Sequence, residues 1–231
     1  MTSRRVRNNR AIALVAVAAL ASGAWMLCDG APPDPPPRPS AADAFATAAG
    51  AADGGARPPV AVAVAVASAV AVPSAAPMPD SPPVRIRIPA IGVDAPVTTL
   101  GLSASGQLQV PVDTDRNLAG WYRGGPAPGS TGNAIMDGHV DTRRGPAVFY
   151  LLGALHKGDT VEVDRKDGTA AVFTVDATEV YRKRAFPSAR VYGRTRDPQL
   201  RLITCGGGYA SRAGYLGNVV LYAHLTGSRE A

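Results

Sequence analysis

Cysteine is scarce in this chain of 231 residues: there are two, Cys28 and Cys205, far apart. A small secreted domain stapled by disulfides carries an even set of spaced cysteines, so that class is excluded. Aromatic residues make up only 6% of the chain, and no basic stripe is interleaved with them. The footprint of a nucleic-acid binder is therefore missing. The charge surplus is small, 24 Lys and Arg against 18 Asp and Glu. Arg4, Arg5, Arg7 and Arg10 fall in the first ten residues, and without them the surplus nearly vanishes. No internal repeat is apparent, no acidic loop compels a calcium ion, and helical periodicity is rare.

What is present begins at the N-terminus. Residues 11–28, AIALVAVAALASGAWMLC, run for 18 residues without a charge. As a helix at about 1.5 Å per residue they span roughly 27 Å, enough for a hydrocarbon core. The arginines ahead of the run should stay in the cytoplasm, so the rest of the chain is exported. The run reads as an uncleaved, single-pass anchor in the cell membrane, with residues 1–10 as a cytoplasmic tail. A cleaved signal peptide is the rival reading, although Met26 and Leu27 stand where cleavage before Cys28 would want a small residue. Residues 29–83 follow, rich in Pro, Ala and Gly. Such a stretch buries too little apolar surface to offset chain entropy, and it reads as a disordered, semi-stiff linker. Inside it lies VAVAVAVASAVAV, residues 60–72. That is too short to span a membrane as a helix, and its alternation suits a sticky strand.

From residue 84 the pattern changes. In VRIRIPAIGVDAPV, Val84, Ile86 and Ile88 alternate with Arg85 and Arg87, the period of a half-buried strand. NAIMDGHV, DTVEVDR, AAVFTVDATEVY, LRLITC and NVVLYAHL repeat the theme, with Gly, Asp and Pro between them. One short helical stretch is expected around 147–155, where Val148, Leu151, Leu152 and Leu155 share a face. Many short strands with little helix predict an all-β closed or nearly closed barrel over residues 84–227.

Two motifs carry chemistry. LITCGGGY, residues 202–209, ends a β-rich run in Cys205 followed by three glycines. A side chain at a strand end beside bare glycines is open to a peptide backbone. GHVDT, residues 138–142, puts His139 at another strand end. A cysteine needs help to become a thiolate, and a histidine within reach supplies it. Asp141 is a lesser candidate to orient His139; an Asp in that place more often caps a turn. His156 reads as a solvated turn residue, His224 as structural, and Trp121 and Tyr122 as packing residues or groove lining.

These stretches, taken in order and together with GWYRGGPAPGSTGNAIMDGHVDTRRGPAVFYLLGALHKGDTVEV and FPSARVYGRT, resemble a sortase. Within sortases they resemble the class F group of actinobacteria. The resemblance implies an eight-stranded β-barrel with one or two short helices. It implies a cysteine transpeptidase in which Cys205 attacks the carbonyl of an LPxTG-like sorting signal and His139 serves as acid and base. Its partners would be secreted proteins bearing that C-terminal signal and an amine acceptor, in a cell-wall precursor or another protein. No cofactor or metal is implied. Sortases also use an arginine to steady the oxyanion. In many class F sequences it precedes an Asn-Val-Val stretch, but here GYLGNVVLY holds Leu216 in that slot. Arg212 is the candidate to replace it, with Arg201 and Arg123 as alternatives. A catalytically weak peptide-binding relative and a purely hydrolytic extracytoplasmic protease are the competing functions.

Overall fold

The computed structural model describes residues 35–46 and 74–231. The expected anchor and the valine-alanine run at 60–72 lie outside the described residues. Ten strands are described: β1 (Pro83–Ile88), β2 (Val93–Leu100), β3 (Ala119–Tyr122), β4 (Asn133–Gly138), β5 (Asp141–Thr142), β6 (Gly145–Pro146), β7 (Thr160–Arg165), β8 (Thr169–Arg182), β9 (Gln199–Ala210) and β10 (Gly214–Glu230). Alternation explains β1. Ile86 and Ile88 are fully buried, whereas Arg87 turns outward to Asp164 at 2.6 Å and Arg85 to Asp94. Val84 departs from the expected alternation: the pairing of β1 with β7 shifts register there, and the side chain is left 46% exposed.

Eight strands close a barrel in the order β1-β2-β3-β4-β9-β10-β8-β7, while β5 and β6 form a separate two-stranded ribbon. The all-β expectation of an eight-stranded barrel is met. β2 with β3 and β4 with β9 run parallel; the other described barrel neighbours run antiparallel. The interior is filled by Ile86, Met136, Phe149, Phe173, Leu202 and Leu221, all without solvent exposure. At about 25 cal/mol per Å2 of apolar surface removed from water, this cluster supplies the main drive for closure.

The helical expectation needs correction. Residues 147–155 form turns and one 3-10 turn, Leu152–Ala154. Val148, Leu152 and Leu155 are buried as expected, but Leu151 is exposed. A 3-10 turn repeats every three residues, so Leu152 and Leu155 align and Leu151 does not. The one α-helix among the described residues is α1 (Ser188–Tyr192), in the crossover from β8 to β9. It buries Val191 against the outer face of the barrel.

Two pieces of the stretch expected as linker rest on the barrel. Residues 74–82 run along its base, where Ala75 N donates to Leu225 O at 2.7 Å and Met78 N to Gly129 O at 2.9 Å. The buried Arg165 donates to the Pro79 carbonyl. Residues 36–46 form a strap. Asp43 accepts from His156 Nδ1 at 2.8 Å and Lys157 N at 3.1 Å, and Lys157 Nζ donates to the carbonyls of Ala42 and Ala44. Phe45 packs edge-on against Tyr222 at 5.0 Å with Arg190 over its ring at 4.6 Å. Composition alone hid these contacts because each rests on one or two side chains meeting distant partners.

Candidate active site

Along β9 the side chains alternate. Leu200 and Leu202 join the barrel interior, while Ile203 faces outward into a second apolar cluster with Ile135, Val191, Val220 and Tyr222. Cys205 follows Ile203 by two residues and so lies on the same outer face. Above that face opens a cavity of about 1200 Å3, lined by Tyr122, Asp137, His139, Lys183, Tyr192 and Cys205 among others.

Register brings His139 and Cys205 together. β4 and β9 pair in parallel, ending at Asp137 opposite Ile203. One residue further, the buried Thr204 Oγ1 donates to Gly138 O at 2.7 Å. The next residue on each chain is His139 and Cys205, level with each other on neighbouring strands about 4.8 Å apart. His139 Nε2–H donates to the Pro111 carbonyl at 2.8 Å, which fixes the tautomer when the ring is neutral and leaves Nδ1 for proton exchange. Beyond Cys205, Gly207 and Gly208 adopt φ of 74° and 102°, conformations that side chains other than glycine resist. The strand runs on through these glycines to Ala210, and its pairing with β10 shifts register there.

Burial pushes the Cys205 thiol above its ordinary value. The Lys183 ammonium opposes that shift, and the Asp137 and Asp141 carboxylates add to it. Cys205 therefore rests as a thiol near neutral pH. Asp137 lies on the cavity floor, two residues before His139, and burial raises its carboxyl to about 8. Asp141 does not orient His139. It accepts a hydrogen bond from the Tyr215 hydroxyl, whose own pKa is raised by burial first and by Asp141 next.

None of the three arginine candidates lines the cavity. Arg212 stands exposed in the turn between β9 and β10. Arg123 is exposed in the loop after β3. Arg201 is buried, its guanidinium 4.3 Å over the Tyr222 ring and its Nη2 donating to Gln199 Oε1 at 2.5 Å. Burial lowers its pKa to about 10. Tyr122 lines the cavity, whereas Trp121 is core and donates from Nε1 to Pro126 O at 3.0 Å. His224 pairs with Asp176 at 2.6 Å.

Two cavity residues escape a reading by motif. Asp137 shares a strand face with His139, so alternation within MDGHV was a usable signal. Lys183 gives no local signal, because its place depends on pairing across three strands.

The sequence model of the sortase domain matches residues 86–226. Among solved structures the chain is similar to a sortase from Actinomyces oris, with 20% identity and a TM-score of 0.50, covering 70% of this chain and 89% of that one. It is also similar to a lid mutant of sortase A from Corynebacterium diphtheriae, with 20% identity and a TM-score of 0.50, covering 64% of this chain and 73% of that one. At such identities these two likenesses speak to the fold alone. No curated protein matches the chain.

Proposed function

Because the chain belongs to the sortase family, we propose that it is a membrane-anchored cysteine transpeptidase. It would cleave an LPxTG-like sorting signal at Cys205 and pass the acyl group to an amine of the cell envelope. The observation that carries this reading is the level placement of His139 and Cys205 on adjacent parallel strands beside one cavity. The order and wording of the motifs support the class F group, and residues 11–28 support a single-pass anchor with the catalytic domain outside the cytoplasm.

The chemistry follows from the two groups. The Cys205 sulfur attacks the scissile carbonyl carbon while its proton passes to His139. The tetrahedral intermediate collapses as the C–N bond breaks, and the histidine returns that proton to the departing amine. An acyl thioester remains. An incoming amine attacks it, loses a proton to His139, and the returning thiol closes the cycle. A cavity of this size admits several residues of an extended peptide beside the sulfur.

The exposed Leu216, in the slot where an arginine was expected, favours a second reading: a peptide-binding module with little turnover. One assay separates them. The full-length chain is given a fluorogenic LPxTG-type peptide library with and without an amine nucleophile, beside Cys205→Ala and His139→Ala. The transpeptidase yields amine-linked product that falls at least a hundredfold in both variants. Hydrolysis that ignores added amine would identify a protease. Peptide binding without any covalent adduct on Cys205 would identify the binding module.

A further inference from the structure

Attack on a peptide carbonyl builds negative charge on its oxygen, and a donor or cation aimed at that oxygen is a strong lever on rate. Leu216 cannot supply one: it is 48% exposed and does not line the cavity. The permanent cations that do are Lys183 and Arg194. Arg194 follows Gly193, whose carbonyl accepts from Asn133 Nδ2 at 3.3 Å. Asn133 pairs with Gln199, six residues before Cys205, so that end of the cavity is about 20 Å along β9 from the sulfur.

Lys183 is placed otherwise. Three strands run side by side, β8, β10 and β9. Tyr181, Asn218 and Cys205 form one cross-strand row, and Arg182, Gly217 and Gly206 form the next. Lys183 and Leu216 are the next residues along their chains beyond the paired Arg182 and Gly217. Lys183 opens the 3-10 turn Lys183–Ala185 that follows β8, and it lines the cavity together with Cys205 and Asn218. Between Lys183 and Cys205 the row is bare, because Gly217 and Gly206 have no side chains. It must stay bare: a Cβ at Gly217 would fall 2.5 Å from Tyr181 O, and one at Gly206 would fall 2.7 Å from Val219. Over such a gap the four-carbon stem of a lysine crosses the first of the two strand spacings, about 4.8 Å each, that separate β8 from β9, and its ammonium then faces the second.

We infer that Lys183, delivered from the end of β8, stabilises the oxyanion of the tetrahedral intermediate from a position one strand away from the slot held by Leu216. The inference rests on the transpeptidase reading of the same cavity. The C–S bond forms as the carbonyl electron pair moves to oxygen, where the Lys183 ammonium faces it. When the C–N bond breaks, the pair returns to re-form the carbonyl. Lys183 keeps its protons throughout, and His139 supplies the one that the leaving amine takes. The opposition of Lys183 to the upward shift of the Cys205 thiol is consistent with a charge that reaches the sulfur.

The test compares wild type, K183M, K183R and the double variant K183M/L216R, all as full-length chain. Lys183 is exposed, so its removal opens no cavity. With peptide and amine, K183M should lower kcat by about a hundredfold to a thousandfold, the usual loss of one oxyanion partner, with KM within threefold. K183R should stay within tenfold of wild type. An arginine restored on β10 in K183M/L216R should recover at least tenfold over K183M. The second readout is the pH midpoint for alkylation of Cys205 by iodoacetamide, which should rise in K183M. A K183M enzyme within threefold of wild-type kcat would overturn the inference. If wild type forms no acyl-enzyme at all, the transpeptidase reading fails by itself. The alkylation profile then decides for Lys183: a raised midpoint in K183M upholds its place at the sulfur, and an unchanged one overturns it.

Discussion

Asp137 has a buried carboxyl whose protonation bears on the fold. Folded, its carboxyl holds a proton up to about 8 because it is buried; unfolded, it releases that proton near its ordinary value of 3.8. The folded state thus binds the extra proton between those values, and its stability falls as pH rises across that window. Thermal melts should show wild type losing Tm between pH 5 and pH 8, with Asp137→Asn losing much less. Equal slopes would mean that Asp137 is solvated. Thr204 is the second telling residue. Thr204→Val leaves the Gly138 carbonyl without its buried partner, at a cost of about 1–3 kcal/mol. Activity should fall further than the melt suggests, because that bond levels His139 with Cys205. The two residues proposed to react were legible in the sequence, since TCGGG and GHVD carry their chemistry in residue type; His139 follows the end of β4 as expected, but Cys205 lies within β9, which runs on to Ala210. Lys183 was not, since nothing within a few residues of it tells which strands will lie between it and Cys205.

Among elements, the strands were legible and the connections were not. Period-two alternation marks β1 and β9 directly in the residues, and the short apolar run 134–136 marks β4. The helix went to the wrong segment because Leu-rich 147–155 has the apolar spacing of a helix, while Gly153 abuts the Pro37 carbonyl and leaves no room for a side chain. The strap was illegible because a Pro/Ala-rich stretch carries no periodic signal. Its ion pair sets a pH window. His156 is raised by Asp43, so its contribution is full below 6.5 and is lost as pH rises through that raised value. Asp43 is lowered, first by its hydrogen bond from His156, so its contribution is full above 3.8 and is lost as pH falls through the lowered value. The strap should be held best between those two ordinary values. Amide NMR shifts of Ala42 and Ala46, followed from pH 4 to 9, should move toward free-chain values at the alkaline end. Phe45→Ala removes the ring between Tyr222 and Arg190. It should speed hydrogen exchange in α1 while leaving β9 protected; unchanged α1 exchange would show that the strap does not brace the cavity wall.

At the scale of the whole molecule, closure of the barrel is what makes the site. Neither parallel pairing, β2 with β3 or β4 with β9, joins strands that a short hairpin could connect, so neither could be read from turn residues. Yet the second of them sets His139 beside Cys205. Non-local pairings of this kind must be closed before they are rewarded, so variants that weaken the β4–β9 seam should refold more slowly than variants of equal stability in the local β7–β8 hairpin. Stopped-flow refolding of Thr204→Val beside a destabilised β7–β8 variant would measure that difference.

Both ends of the stretch between the strap and residue 74 are pinned to the barrel. A single peptide-bond break anywhere in 47–73 would therefore convert the strap from a part of the chain into a ligand of it. Its hold would change from an intramolecular equilibrium, governed by the effective concentration that the joining chain sets, into one governed by dilution. The clipped protein would then have a dissociation constant for its own N-terminal piece, and added peptide of sequence 36–46 would titrate the cavity wall back to its braced state.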